Sequence, residues 1–116
     1  MSMLRQLRAE RDTRPMILIY GNRCAEQILN GAELKAMTQE LELTVHHVLS
    51  EPPSGWDGLT GQIDVSVLES LLNFKGRDNW LYLVCGPTPM IDSVENDLGH
   101  LGIPMQQIVS EKFSYN

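Results

Sequence analysis

Cys85 closes an apolar run, Trp80-Leu81-Tyr82-Leu83-Val84, and Gly86-Pro87-Thr88-Pro89-Met90 follows at once. A strand ending in this way brings a thiol and bare backbone to the edge of a sheet. Gly86 permits close approach of another molecule, and the prolines fix the turn. The plainer alternative is a thiol acting as a small buried hydrophobe. Two other places carry comparable groups. Tyr20-Gly21-Asn22-Arg23 ends the run that begins at Met16; Gly21 opens backbone access and Arg23 offers a forked cation to phosphate or ribose oxygens. Alternatively, Arg23 is a solvated residue at the start of a loop. Ser50-Glu51 follows the run from Leu43 to Leu49. A carboxylate there accepts hydrogen bonds from a sugar diol and repels a phosphate, unless it is only an exposed loop acid. His46 and His47 are adjacent in a strand, so their side chains point to opposite faces and cannot share a metal. His100 stands alone, and no cluster has zinc-like spacing, so no metal is expected. No Ser-His-Asp geometry is proposed.

These groups need elements to hold them. Ser2 to Arg11 reads as an amphipathic helix, and Pro15 precedes the buried strand Met16–Tyr20. Asn30-Gly31 divides the next helical pattern into a short piece and a longer helix from about Ala32 to Leu41. A strand from Leu43 to Leu49 leads into Glu51 to Ile63, whose prolines and glycines predict loop throughout. Asp64 is placed to cap a helix through Asn73, burying Val67, Leu68, Leu71 and Leu72. Trp80 to Val84 is the third strand, Pro89 to Leu101 a helix with Met90, Ile91, Val94, Leu98 and Leu101 inward, and Gln107 to Phe113 the last strand. Strands alternating with helices imply right-handed crossovers and a parallel sheet: an α/β, three-layer Rossmann-like fold of about four strands with flanking helices.

The 116 residues suit a single domain, and 42% hydrophobic with 21% charged residues is ordinary for a soluble globular chain. No apolar run is long enough to cross a bilayer and no secretory leader is seen, so no direct membrane insertion is expected. Cys24 and Cys85 are too few for a disulfide framework, which favours a reducing, cytoplasmic setting. A net charge of −6 argues against nucleic acid but not against a dinucleotide, whose pyrophosphate backbone N–H groups can hold.

The Cys85-Gly86-Pro87-Thr88-Pro89-Met90 turn resembles the Cys-Gly-Pro-x-Pro-Met segment of the C-terminal NAD(P)-binding domain of ferredoxin reductase-like flavoproteins, and the likeness extends over nearly the whole chain. Tyr20-Gly21-Asn22-Arg23 resembles the family's Tyr-Gly-x-Arg segment beside the dinucleotide. The resemblance implies that Cys85 lies next to the nicotinamide ring and helps position it, without acting as a covalent nucleophile. It places Gly21, Asn22, Arg23, Ser50, Glu51, Gly86, Pro87, Thr88, Pro89 and Met90 around the cofactor. The ending Ser110-Glu111-Lys112-Phe113 resembles the family's Ser-Glu-x-Phe, which puts Glu111 and Phe113 toward the flavin. NADPH-preferring relatives carry a serine–arginine pair where Ser50-Glu51 stands, so NADH is expected over NADPH. Trp56-Asp57-Gly58 resembles a tryptophan-glycine segment on the adenine side, with Trp56 expected to cover protein. The implied function is the NADH-binding lobe of a flavin-dependent oxidoreductase, passing electrons through FAD or FMN in a partner flavin-binding domain or subunit. The alternative is a non-catalytic subunit or remnant that docks on a flavoprotein through an open sheet edge. A thiol-redox protein is a third and weaker reading, since no second cysteine stands in a Cys-x-x-Cys relation to Cys85.

The chain departs from that family pattern at its start. It shows neither the flavin-binding barrel motif nor the glycine-rich turn, and Met1 to Leu7 matches the middle of the family's first helix. The reading is therefore of a domain, residues 1–116, incomplete at its N-terminus and lacking the family's central first strand. Weaker pyrophosphate binding is expected. So is one of two repairs to the sheet: new pairing within the chain, or a strand supplied by another chain, as in a strand-swapped homodimer.

Overall fold

Met16–Tyr20 and Leu81–Val84 are continuous apolar runs, the pattern of parallel strands covered on both faces. In a computed structural model, which describes residues 2–11, 14–22, 31–49, 51, 53–56, 58–60, 65–73, 76 and 79–112, they form the centre of the sheet. β1 (Met16–Asn22) and β4 (Leu81–Gly86) are buried at every position. β2 (Leu43–Leu49) flanks β1, β5 (Ile108–Lys112) flanks β4, and a two-residue β3 (Leu59–Thr60) lies outside β2. The order is β3-β2-β1-β4-β5 and every pairing is parallel.

Side chains alternate across this sheet, giving two apolar layers. Ile17, Ile19, Val48, Tyr82 and Val84 pack against α3 (Val65–Leu71) and α4 (Thr88–His100), which contribute Leu68, Ile91, Val94 and Leu98. Met16, Leu18, Tyr20, Leu43, Leu81, Leu83 and Cys85 pack with Met37 of α2 (Gly31–Glu40), with Leu41, and with Leu7 of α1 (Ser2–Ala9). The architecture is the expected three layers, with five strands.

β1 and β4 are direct neighbours, Met16 to Tyr20 lying opposite Leu81 to Cys85. No further strand stands between them, and the sheet closes within one chain. This is the first of the two repairs expected. Hydrogen bonds just outside the ladder hold the same register: Leu81 N–H donates to Pro15 O at 3.0 Å and Met16 N–H to Glu42 O at 2.7 Å.

Several boundaries differ from expectation. Leu59-Thr60 was expected in loop, but pairs with Val48 and Leu49 while Leu59 packs on the α3/α4 layer. β4 runs on through Cys85 and Gly86 because β5 continues beside it as far as Lys112. α3 ends at Leu71 rather than Asn73; Asp64, its expected cap, lies outside the described residues. α4 ends in a Schellman arrangement: Gly102 has φ 85°, and Ile103 N–H donates to Leu98 O at 3.1 Å. A single 3-10 turn, Met105–Gln107, then leads into β5, where Gln107 Nε2 donates to Trp80 O at 3.0 Å and ties the start of β5 to the start of β4.

Candidate functional site

The carboxyl ends of β1, β2, β4 and β5 lie along one edge of the sheet, where ligands of open α/β sheets bind. Parallel register decides which side chains share a face there. Val45, Leu18, Leu83 and Val109 form one row across four strands, all apolar. The next row toward the carboxyl edge is His47, Tyr20, Cys85 and Glu111. An apolar face therefore ends in imidazole, phenol, thiol and carboxyl groups, with neighbouring strands about 4.8 Å apart. Tyr20 and Cys85, in the middle, are each only 3% exposed. His47 and Glu111, on the flanks, are half-buried. The Tyr20 and His47 rings are in contact, their centroids 5.9 Å apart and their planes tilted by 34°.

The other face of the same tip is built from glycine. The Gly21 Cα stands 3.6 Å from where a Gly86 Cβ would be, so the two bare positions face each other. Met90 covers both. A Cβ on Gly86 would come within 2.6 Å of Met90 Cε, and a Cβ on Gly21 would collide with Met90 Sδ. The glycines expected to admit a ligand thus seat a methionine of their own chain on this face. Pro87, extended at φ −69° and ψ 153°, turns the chain into α4, whose first turn includes exposed Thr88 and Pro89. Thr88 and Met90 bring N–H groups to that helix start; Pro89 has none.

Electrostatics separate the polar groups by role. Burial, with the charge of Glu111 acting in the same direction, pushes the Cys85 thiol up to about 11. Cys85 is a free cysteine and stays protonated at neutral pH, which suits a packing or positioning role and not nucleophilic attack. Burial holds both His46 and His47 below the ordinary histidine value, with His46 also lowering His47. His47 Nδ1 is buried without a hydrogen-bond partner. Asn22, one position beyond Tyr20 on the same face, is 4% exposed and its Nδ2 has no partner either. An unpaired buried donor costs about 1–3 kcal/mol. Such a group calls for a partner the chain does not supply, a water or a ligand acceptor.

The structure brings together Gly21, Asn22, Cys85, Gly86, Pro87, Thr88, Pro89, Met90 and Glu111. Glu51 is exposed just beyond the end of β2, with β1 between it and the Cys85 strand. Arg23, Ser50 and Phe113 lie outside the described residues. Trp56 covers protein, as expected: its Nε1 donates to Leu59 O at 3.0 Å, and its ring crowds the space beside Gly58. Sequence reasoning did not place His47 in the site, nor Tyr20 beside Cys85. Only the register of β1 against β2 and β4 shows both, and no local motif carries that information. Among the described residues no group of acids, histidines and cysteines is set to hold a metal, and no helix is long and apolar enough to cross a membrane.

Comparison with known proteins agrees with this fold. The family model described as the oxidoreductase NAD-binding domain matches residues 1–96. NADH-cytochrome b5 reductase 1 of Meyerozyma guilliermondii is 35% identical over 102 residues, 86% of this chain and 36% of that protein. The CS-b5R domains of human Ncb5or, in their NAD+ form, superpose with a TM-score of 0.63 at 29% identity, over 84% of this chain and 28% of that one. The flavohem-like FAD/NAD-binding domain of the nitric oxide dioxygenase from Vibrio cholerae has a TM-score of 0.68 over 96% of this chain and 44% of its own; at 18% identity it supports the fold alone. The chain spans about a third of the length of the curated relatives it matches. Matched along most of its length and folded in the same way, the chain belongs to the NAD-binding domain family of the ferredoxin reductase-like oxidoreductases.

Proposed function

We propose that the chain is the NADH-binding lobe of a flavin-dependent oxidoreductase, working beside a flavin domain that carries FAD or FMN. The observation that carries this reading is the in-register row that sets Cys85 between Tyr20 and Glu111 at the strand ends, next to the proline turn. The residues present fit such a ligand. Asn22 has an unspent buried amide for an acceptor oxygen, and the neutral Cys85 thiol offers a soft, uncharged surface to a planar ring. When bound, a reduced nicotinamide supplies a hydride for the flavin. The chain's own residues hold and orient it. Cys85 positions the ring, and Gly86 with the Pro87–Pro89 turn shapes the wall around it. By the sequence resemblance, Arg23 and Ser50 serve the adenosine-phosphate part, and Glu51 accepts hydrogen bonds from the ribose diol, which selects NADH over NADPH. The same resemblance gives Glu111 and Phe113 to the flavin side. A buried free thiol suits a cytoplasmic, reducing setting.

Calorimetric titration with NADH and then NADPH tests the reading. Saturable heat with NADH and weaker heat with NADPH is expected, and Glu51→Arg should narrow or reverse that preference. A folded chain giving no saturable heat with either dinucleotide would overturn the assignment.

A further inference from the structure

We propose that His47 is a positioning residue of this site, holding the Tyr20 ring in place beside Cys85. Its functional meaning rests on the dinucleotide reading above; its geometry does not.

Four observations converge on it. His47, Tyr20 and Cys85 are consecutive members of one row across β2, β1 and β4. The imidazole and phenol rings touch, at 5.9 Å between centroids. His47 Nδ1 is buried and makes no hydrogen bond, so no bond at that atom competes with the contact to Tyr20. Finally, His46 and His47 both border a groove of about 370 Å³ at the β2 edge, which Val45, Trp56, Gly58, Leu59 and Leu71 also line. β3 pairs only with Val48 and Leu49, so no described strand flanks His47 on that side. His47 therefore stands toward the open edge of β2, with Tyr20 and Cys85 inside it in the same row. Truncating it to alanine leaves the space of its own ring beside Tyr20.

The test reads the thiol and the ligand separately. Alkylation of Cys85 by iodoacetamide is followed by peptide mass spectrometry, which distinguishes it from Cys24, and NADH affinity is measured on the same variants. His47→Ala should speed Cys85 alkylation about three- to tenfold, the range one aromatic ring pair contributes. It should weaken NADH binding by a similar factor. His47→Phe keeps a ring and gives up no hydrogen bond at Nδ1, so it should restore both values. Added imidazole, filling the space the ring vacates, should restore them in part for His47→Ala. Val45→Ala changes the same strand and face one row lower and should leave both near the parent. An unchanged alkylation rate in His47→Ala, or an equal rise in Val45→Ala, overturns the proposal, because the first denies the contact and the second makes it general loosening. Faster alkylation with unchanged NADH affinity also overturns the positioning role. If the parent chain binds no NADH, the dinucleotide reading fails, and the alkylation series alone decides whether His47 holds Tyr20 against Cys85.

Discussion

Replacing the facing glycines with alanine tests how the strand tips are packed. A Cβ on Gly21 or Gly86 meets the same object, the Sδ and Cε end of Met90. Overfilling a packed site costs about 1–3 kcal/mol. Met90 is unbranched and only half-buried, so one added methyl should displace its end for about 1 kcal/mol, near the low limit of that range. Against this, removing a strand glycine recovers about 0.5–1 kcal/mol of chain entropy. Gly21→Ala and Gly86→Ala should therefore each change stability by less than about 1 kcal/mol. Together they leave Met90 no seat. The side chain must then withdraw, forfeiting a further ~1–2 kcal/mol of apolar burial. Urea unfolding of the two singles, the double, and all three in a Met90→Ala background measures the coupling. In that background the glycine replacements should become neutral or stabilising, giving a coupling of about 1–3 kcal/mol for the double. If the double costs the same with and without Met90, to within about 0.5 kcal/mol, Met90 is not what fills the space above the glycines and that account of the tip fails.

Two further outcomes follow from the electrostatics and the edge loop. A thiol raised from 9.0 to about 11 carries about 100-fold less thiolate at neutral pH, so Cys85 should alkylate far more slowly in the folded chain than in urea. Because the fold favours the neutral thiol, its contribution to stability is full below about pH 9 and is lost as the pH rises to about 11, by up to about 3 kcal/mol. Cys85→Ala should flatten that part of the stability–pH curve, and an equally steep curve in this variant refutes the assignment. Trp56→Phe removes the 3.0 Å bond to Leu59 O and should cost about 1 kcal/mol of stability while leaving NADH affinity unchanged. A large loss of affinity would put Trp56 at the cofactor after all.

The sequence shows this fold wherever burial is two-sided. Met16–Tyr20 and Leu81–Val84 are unbroken apolar runs because helices cover both faces of the strands they form, and that signal needs no knowledge of partners. β3 has no such signal: two residues, Leu59 and Thr60, have no period, and the prolines and glycines before them describe the loop that delivers them. The candidate site divides in the same way. The proline turn and the Tyr20-Gly21 segment are local, so their chemistry can be read along the chain. The row they join is not local. Tyr20 meets Cys85 only because β1 pairs directly with β4, and His47 meets Tyr20 only through the register of β2. A slip of β1 by one residue against both neighbours would bring Gly21, or Ile19, opposite Cys85 and His47, and would turn the phenol to the α3/α4 face. The motif residues would all still be present, but the polar row would not form. The fold makes these residues a site by fixing strand register, and burial of Leu18, Leu83 and Met16 on one face and Ile17, Ile19 and Val84 on the other holds that register.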